Sequence, residues 1–173
     1  GFVDHTGGAL ICKGDPTFNR ITKYIQQLPS SDFKGETLYL RLRSANGLLV
    51  FSPFFVPTLE HLDKYECHVG LGYTRIVSES HGVRTDVTIF VPDGVSCEVR
   101  RITVANISDQ PIVLDAVPVV EYTHPDALKQ FTNADWVPQT MQSRLVQEDD
   151  LTILLQYPFM FKNTRVNYFA ASV

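Results

Sequence analysis

The chain of 173 residues is 44% hydrophobic and 20% charged, which supplies one sizeable core and excludes a disordered segment. Its net charge of −4, from 15 basic and 19 acidic residues, gives no basic field for a phosphate backbone and argues against nucleic acid as a partner. No apolar run reaches the roughly 20 residues of a membrane helix, which argues against a membrane partner, and eleven Phe, seven Tyr and ten Pro against two Met lean toward an all-β domain.

Gly7-Gly8 predicts a tight turn before the short apolar run Ala9 to Cys12, and Lys13-Gly14-Asp15-Pro16 a second turn. Asn19 to Ile25 mixes polar and apolar residues as a strand would. Thr37 to Arg43 alternates cleanly, Asn46-Gly47 supplies the positive φ of a tight hairpin, and Leu48 to Phe51 returns. Ser52-Pro53-Phe54-Phe55-Val56-Pro57 then interrupts the strands, because each proline lacks a donor and holds its predecessor extended. Tyr65 to Ile76 and the stretch to Pro92 read as successive antiparallel strands, with Gly70 and Gly72 allowing a bend or bulge and Ser80-His81-Gly82 a turn. Val83, Thr85, Val87, Ile89 and Val91 alternate with Arg84, Asp86, Thr88 and Phe90, the period of two that assigns one set to each sheet face.

Cys97 to Asn106 and Ile112 to Tyr122, joined by Ser108-Asp109-Gln110-Pro111, are expected to form another long hairpin. Its second arm is apolar on both faces, as a strand buried between layers would be. From His124 to Thr140 the pattern breaks: Asp126 to Gln130 could make one helical turn, and the rest reads as a long loop holding the sole Trp. Strands resume at Met141 to Val146, Leu151 to Tyr157 and Arg165 to Ala171. About ten strands with little helix give the fold class: all-β, a large antiparallel β-sandwich.

Chemistry is sparse. No nucleophile elbow occurs, and His5, His61, His68, His81 and His124 are scattered rather than paired for a metal. Glu66-Cys67-His68 cannot converge on one ion, because adjacent strand residues point to opposite faces. Gly7-Gly8 and Gly70-Leu71-Gly72 lack the helix a phosphate-cradling loop needs. Cys12, Cys67 and Cys97, odd in number and far apart, read as free thiols of a reducing compartment. Asn106-Ile107-Ser108 matches a glycosylation acceptor but reads better as a turn, and Arg100-Arg101 as one arginine facing solvent and one paired with an acid. Asp115 with Glu121, or Asp126 with Asp135, have no defined separation from which to argue acid–base catalysis. The loop of residues 131–140 is left: an indole amid amides and an acid suits a pyranose, whose apolar face stacks on the ring while its hydroxyls take hydrogen bonds. Core anchoring of Trp136 is the competing reading.

Leu62 to Ile76 with its Tyr-Glu-Cys and Gly-Leu-Gly-Tyr-Thr pieces, Val87 to Pro92, and Cys97 to Thr103 resemble the amino-terminal β-domain of the inverting disaccharide phosphorylases. These are the cellobiose, cellodextrin, laminaribiose and chitobiose phosphorylases of glycoside hydrolase family 94. Gly7-Gly8, Asn19 to Tyr24 and Phe51-Ser52-Pro53 are similar to the same family in the same order, and Phe131 to Trp136 resembles the cellodextrin type. The resemblance implies a supersandwich of the galactose-mutarotase-like kind. It further implies that residues 1–173 are a single domain of a larger multidomain phosphorylase, as the opening Gly1 in place of Met also suggests.

Such an enzyme is a hexosyltransferase of the EC 2.4.1 type, taking a β-glucan oligosaccharide and inorganic phosphate to α-glucose 1-phosphate and a shortened oligosaccharide. It needs no cofactor. Its acid and its phosphate-binding residues lie in a catalytic toroid outside this chain, which alone is expected to be inactive. The family resemblance also implies a cytoplasmic homodimer in which a loop of this domain approaches the partner's active site. Asn133, Asp135, Trp136 and Gln139 are the candidate substrate-binding residues, and no catalytic or metal residue is assigned. The alternatives are a free-standing carbohydrate-binding β-sandwich module and a purely structural interaction domain.

Overall fold

The computed structural model describes residues 1–15, 17, 19–23, 32, 34–44, 47–124, 141–159 and 166–173. Every regular element among them is a strand: β1 (Phe2–Val3), β2 (Ala9–Leu10), β3 (Glu36–Ser44), β4 (Gly47–Phe51), β5 (Lys64–Gly70), β6 (Tyr73–Ser80), β7 (Val83–Phe90), β8 (Val99–Asn106), β9 (Val113–Val120), β10 (Met141–Glu148), β11 (Leu151–Pro158) and β12 (Asn167–Ala170). The fold is all-β and antiparallel throughout, as the alternation predicts. The chain divides into two compact units, one of residues 1–11 and 24–121, the other of residues 12–23 and 122–173.

The first unit holds two main sheets, of order β4-β3-β9 and β5-β6-β7-β8. Both contribute to one buried cluster: Leu38, Leu40, Leu42 and Phe51 from the first, Ile76, Val83, Val87 and Ile89 from the second, with Phe54 from the connector between them. Register explains the selection. Leu40 lies opposite Phe51 on one side and Ala116 on the other, while Ile76 pairs with Val87 and Val87 with Ile102, so each row presents apolar side chains inward. On the opposite face of the four-stranded sheet, Arg75 is ion-paired with Asp86, Arg84 with Glu79 at 3.1 Å and Lys64 with Glu66 at 3.2 Å. Val91 departs from the expected alternation, because β7 ends at Phe90 and Val91 is exposed.

The turns follow local chemistry. His81 and Gly82 both have positive φ, 54° and 75°, the geometry a two-residue hairpin needs to match strand twist. Gly70-Leu71-Gly72 is a hairpin tip rather than a bulge. Gly72 takes φ of 87°, and a Cβ on Gly70 would lie 2.1 Å from the Tyr73 ring that covers it. At the chain start, the Asp4 carboxylate accepts from the Thr6 and Gly8 amides at 2.9 and 3.1 Å, and the turn it closes rests on the Phe54 ring.

One expected hairpin is absent. β8 pairs with β7 and β9 pairs with β3, so the chain crosses from one sheet to the other between them. Asn106 turns it: its Oδ1 accepts from the Ser108 amide at 3.0 Å and its Nδ2 donates to the Gln110 carbonyl at 2.8 Å. β9 is an edge strand, where the missing donor of Pro118 is tolerated. Nor is it covered on both faces, since Val113 is 62% exposed.

In the second unit β10, β11 and β12 form a three-stranded sheet. Residues 12–23 fold back on themselves: Cys12 bridges to Arg20, the Lys13 amide donates to the Asn19 carbonyl at 3.0 Å, and the Thr17 amide donates to the Asp15 carboxylate at 2.8 Å. The returning arm is fixed to the segment after β9 by the Thr22–Tyr122 bridge and by the Thr123 amide, which donates to the Ile21 carbonyl at 2.9 Å. Between Asn19 and Ile25, the expected strand shows only these bridges among the described residues.

Candidate functional site

The second unit contains a cavity of about 370 Å³ built at one end of its sheet. Met141 opens β10, Pro158 closes β11 and Asn167 opens β12, and the register sets Met141 opposite Pro158 and Asn167 opposite Gln156, which brings all three to that end. Val166 adjoins Asn167. From the folded-back segment come Lys13, Asn19, Arg20 and Ile21. Among the described residues the lining therefore combines two cations, two side-chain amides and the apolar Ile21, Met141, Pro158 and Val166. Burial around Arg20 lowers the pKa of its guanidinium, which still stays charged at neutral pH, while the nearby Cys12 thiol acts in the other direction. At the far end of the same sheet a shallower hollow runs over Glu148, Asp149 and Asp150.

In the first unit Arg100 of β8 joins Glu98, Glu36 and Gly7. Its Nε donates to Glu98 at 2.8 Å, its Nη2 pairs with Glu36 at 2.5 Å and its Nη1 donates to the Gly7 carbonyl at 3.3 Å. Glu36 and Arg100 come from different sheets, β3 and β8, so the ion cluster ties the two layers together. Burial pushes the Glu36 carboxyl up to about 8, against the pull of Arg100 and with the help of neighbouring Glu98. Arg101, its sequence neighbour, is exposed. One arginine is thus paired with acid and the other faces water, as the sequence suggests.

The other acids and thiols have structural surroundings. Asp115 accepts from Arg41 at 2.8 Å, and that contact holds its carboxyl below the ordinary range. Glu66 and His68 meet at 3.4 Å on the outer face while Cys67 packs against the core on the other, so the three do not converge. All three cysteines are free thiols. Among the described residues no group of three His, Cys, Asp or Glu side chains could hold a metal, and no helix is long and apolar enough to cross a membrane.

A family model described as "Glycosyl hydrolase 94, supersandwich domain" matches residues 1–173. The chain belongs to this family. Glycosyl hydrolase 94 relatives with matching sequence include the N,N'-diacetylchitobiose phosphorylase of Vibrio proteolyticus, 28% identical over 123 residues, which is 70% of this chain and 15% of the relative. The N,N'-diacetylchitobiose phosphorylase of Vibrio furnissii is 29% identical over the same shares. The solabiose phosphorylase of Paenibacillus borealis is 30% identical over 125 residues, 70% of this chain and 16% of the relative. The chain thus spans about 15% of the length of the curated relatives it matches. The supersandwich expected from the motifs is the family's own domain, and the relatives are glycoside phosphorylases.

The sequence-nominated residues Asn133, Asp135, Trp136 and Gln139 of this glycosyl hydrolase 94 domain lie outside the described residues, as does the proposed helical turn at Asp126 to Gln130. Met141, two positions after Gln139, is the described residue nearest them on that side, and it lines the cavity. Sequence reasoning did not select Lys13, Asn19, Arg20 or Asn167. A hairpin reading of Cys12 to Arg20, with Gly14, Asp15 and Pro16 at its tip, would have set Lys13 opposite Asn19 and gathered three of the four.

Proposed function

We propose that this chain is the non-catalytic amino-terminal domain of an inverting glycoside phosphorylase that cleaves a β-linked glucan oligosaccharide with inorganic phosphate, yielding α-glucose 1-phosphate and a shortened oligosaccharide. The observation that carries the reading is the family match along the whole chain. The phosphorylase names of the relatives support the reaction class. For the sugar, the resemblance of Phe131 to Trp136 to the cellodextrin type favours cello-oligosaccharides. The parent acts as a homodimer in the cytoplasm, where Cys12, Cys67 and Cys97 persist as thiols, and it needs no cofactor. In each subunit Asn133, Asp135, Trp136 and Gln139 help shape the acceptor end of the neighbouring subunit's site. Trp136 stacks on a pyranose and the amides take its hydroxyls.

The test uses the full-length protein with phosphate and cello-oligosaccharides of increasing length, with N,N'-diacetylchitobiose as comparison, and follows release of the sugar 1-phosphate, α-glucose 1-phosphate from the glucans and N-acetyl-α-glucosamine 1-phosphate from N,N'-diacetylchitobiose. Cello-oligosaccharides are expected to be the better substrates; cleavage of N,N'-diacetylchitobiose alone overturns the sugar assignment, and no cleavage of any β-linked glycan overturns the reaction class. In the reverse reaction, with α-glucose 1-phosphate as donor, Trp136→Ala is expected to raise the acceptor KM about tenfold, the loss of roughly one stacking contact. Unchanged kinetics on every acceptor length would remove the loop from the acceptor site.

A further inference from the structure

We infer that the outer face of the four-stranded sheet is a binding platform for a β-linked glucan chain, with one sugar ring stacked on Tyr73 and the adjoining rings held through their hydroxyls by Thr88, Arg101 and the Arg75–Asp86 pair. The register assembles these groups. Tyr73 lies opposite Gly70 on one side and Phe90 on the other, and the next row of the same face runs His68, Arg75, Thr88, Arg101. Gly70 has no side chain, and the Tyr73 ring fills the space above it, 2.1 Å from where a Cβ would stand. The ring is thus laid over backbone, yet the residue is 46% exposed, so aromatic surface is left open to a ligand.

Ring and polar groups adjoin one another. The Tyr73 phenol lies within electrostatic reach of the Arg75 guanidinium, and Arg101 within reach of the Asp86 carboxylate. Arg75 donates from Nε to the two Asp86 oxygens at 2.9 and 3.1 Å and from Nη2 to the same carboxylate, which leaves its Nη1 donors unused among the described residues. The other basic side chains of this face are also paired, Lys64 with Glu66 and Arg84 with Glu79. Among the described residues, the side chains of Thr88 and Arg101 make no hydrogen bond or ion pair. A hydroxyl that gives and takes, and a guanidinium with its donors free, match sugar hydroxyls in both senses.

The geometry favours a chain of sugars over other ligands. From Tyr73 to Arg101 is two strands and one row, about 12 Å, the length of a short oligosaccharide rather than of one ring. A neutral hydroxyl can hydrogen-bond to an ion pair without separating it, so a glycan need not strip these charges of their partners. A protein partner would have to bury the same charges, on a face where Tyr73 is the one exposed large hydrophobic among the described residues, whereas the centre of a protein interface is depleted in charge. A nucleic acid would find Arg101 alone without an acid. The choice of a β-linked glucan among sugars rests on the function proposed above.

Affinity electrophoresis of the full-length protein tests this independently of turnover, in native gels cast with soluble cereal β-glucan, with α-linked dextran or with neither. The protein is expected to be retarded by the β-glucan and not by dextran. Tyr73→Ala should weaken the apparent affinity about tenfold, the loss of one stacked ring, while Tyr73→Phe keeps it. Arg101→Ala should weaken it about fivefold. If Tyr73→Ala does not fold, Arg101→Ala decides, because that side chain is exposed and its removal leaves no partner behind. No retardation of the unsubstituted protein, equal retardation by dextran, or retardation unchanged in both alanine variants overturns the inference. Phosphorolysis of cello-oligosaccharides without retardation overturns it while sparing the proposed function; retardation that depends on Tyr73 and Arg101 in a protein that cleaves no glucan supports it and overturns that function instead.

Discussion

Arg100 is asked to hold two carboxylates, Glu36 at 11% and Glu98 at 8% side-chain exposure, in a region where charge is costly. Glu36 responds by keeping its proton to about pH 8. A carboxyl with a higher pKa folded than unfolded binds its proton more tightly in the native state, so the stability it contributes is complete below its unfolded value and lost as pH rises through the folded one. The domain should therefore lose thermal stability between about pH 5 and 8, and Glu36→Gln should flatten that slope, as scanning calorimetry across this range can measure. Asp86 and Asp115, held low by hydrogen bonds from Arg75 and Arg41, act in the opposite sense at acidic pH, outside this window. Removing the shared cation is more severe than removing one acid: Arg100→Ala leaves the buried Glu98 carboxylate without its cation and the Glu36 carboxyl without its partner, and should cost roughly 3 kcal/mol in urea denaturation. That one arginine of the Arg100-Arg101 pair would meet an acid was legible in sequence, but which acids, and that they would be buried, was not. Residues 36, 98 and 100 meet only because β3 and β8 face each other, and a pairing of that range leaves no local pattern.

Strands and their turns are the level at which the sequence speaks most clearly, and β7 shows why. Its inward Val83, Thr85, Val87 and Ile89 are all buried while Arg84, Asp86, Thr88 and Phe90 are partly exposed, because a two-residue period has only two faces to choose between. Turn chemistry was equally readable at His81-Gly82, where positive φ was needed. The β8–β9 connection was misread because Ser108 to Pro111 has the composition of a hairpin turn, and composition does not say whether the next strand pairs with the last or crosses to the other sheet. The cavity stayed hidden for a similar reason, its lining coming from segments more than a hundred residues apart. Within β6, position decides the cost of truncation. Ile76 is 1% exposed in the shared core, and Ile76→Ala should destabilise by about 3 kcal/mol. Val69, 81% exposed near the adjoining hairpin tip, should tolerate Val69→Ala within about 0.5 kcal/mol. Gly72→Ala meets no atom within 4 Å, so its cost is conformational alone, about 1 kcal/mol for a φ of 87°.

At the scale of the whole chain, the outer face of the β4-β3-β9 sheet stands apart from that of its companion. The four-stranded sheet covers its outer face with paired charges, whereas here the register aligns Leu48, Arg43 and Val113 in one row and places Val50 and Val117 nearby. Leu48 is 58% exposed and Val113 62% exposed, on either side of the Arg41 and Arg43 contacts to Asp115. Among the described residues β9 is also an edge strand, with Pro118 within its span. Exposed apolar rows next to a strand edge promote association. The 173-residue chain produced by itself should accordingly bind an apolar dye and sediment as a concentration-dependent mixture of monomer and larger species. Leu48→Glu combined with Val113→Glu puts acids on both sides of Arg43 and removes the apolar row. Because neither side chain is in the core, stability should change by about 0.5 kcal/mol or less while dye binding falls and the sedimentation profile becomes that of a monomer. Unchanged association in the double variant would locate the adhesive surface elsewhere, with the exposed tip of the β5–β6 hairpin at Val69, Leu71 and Tyr73 the next to be changed.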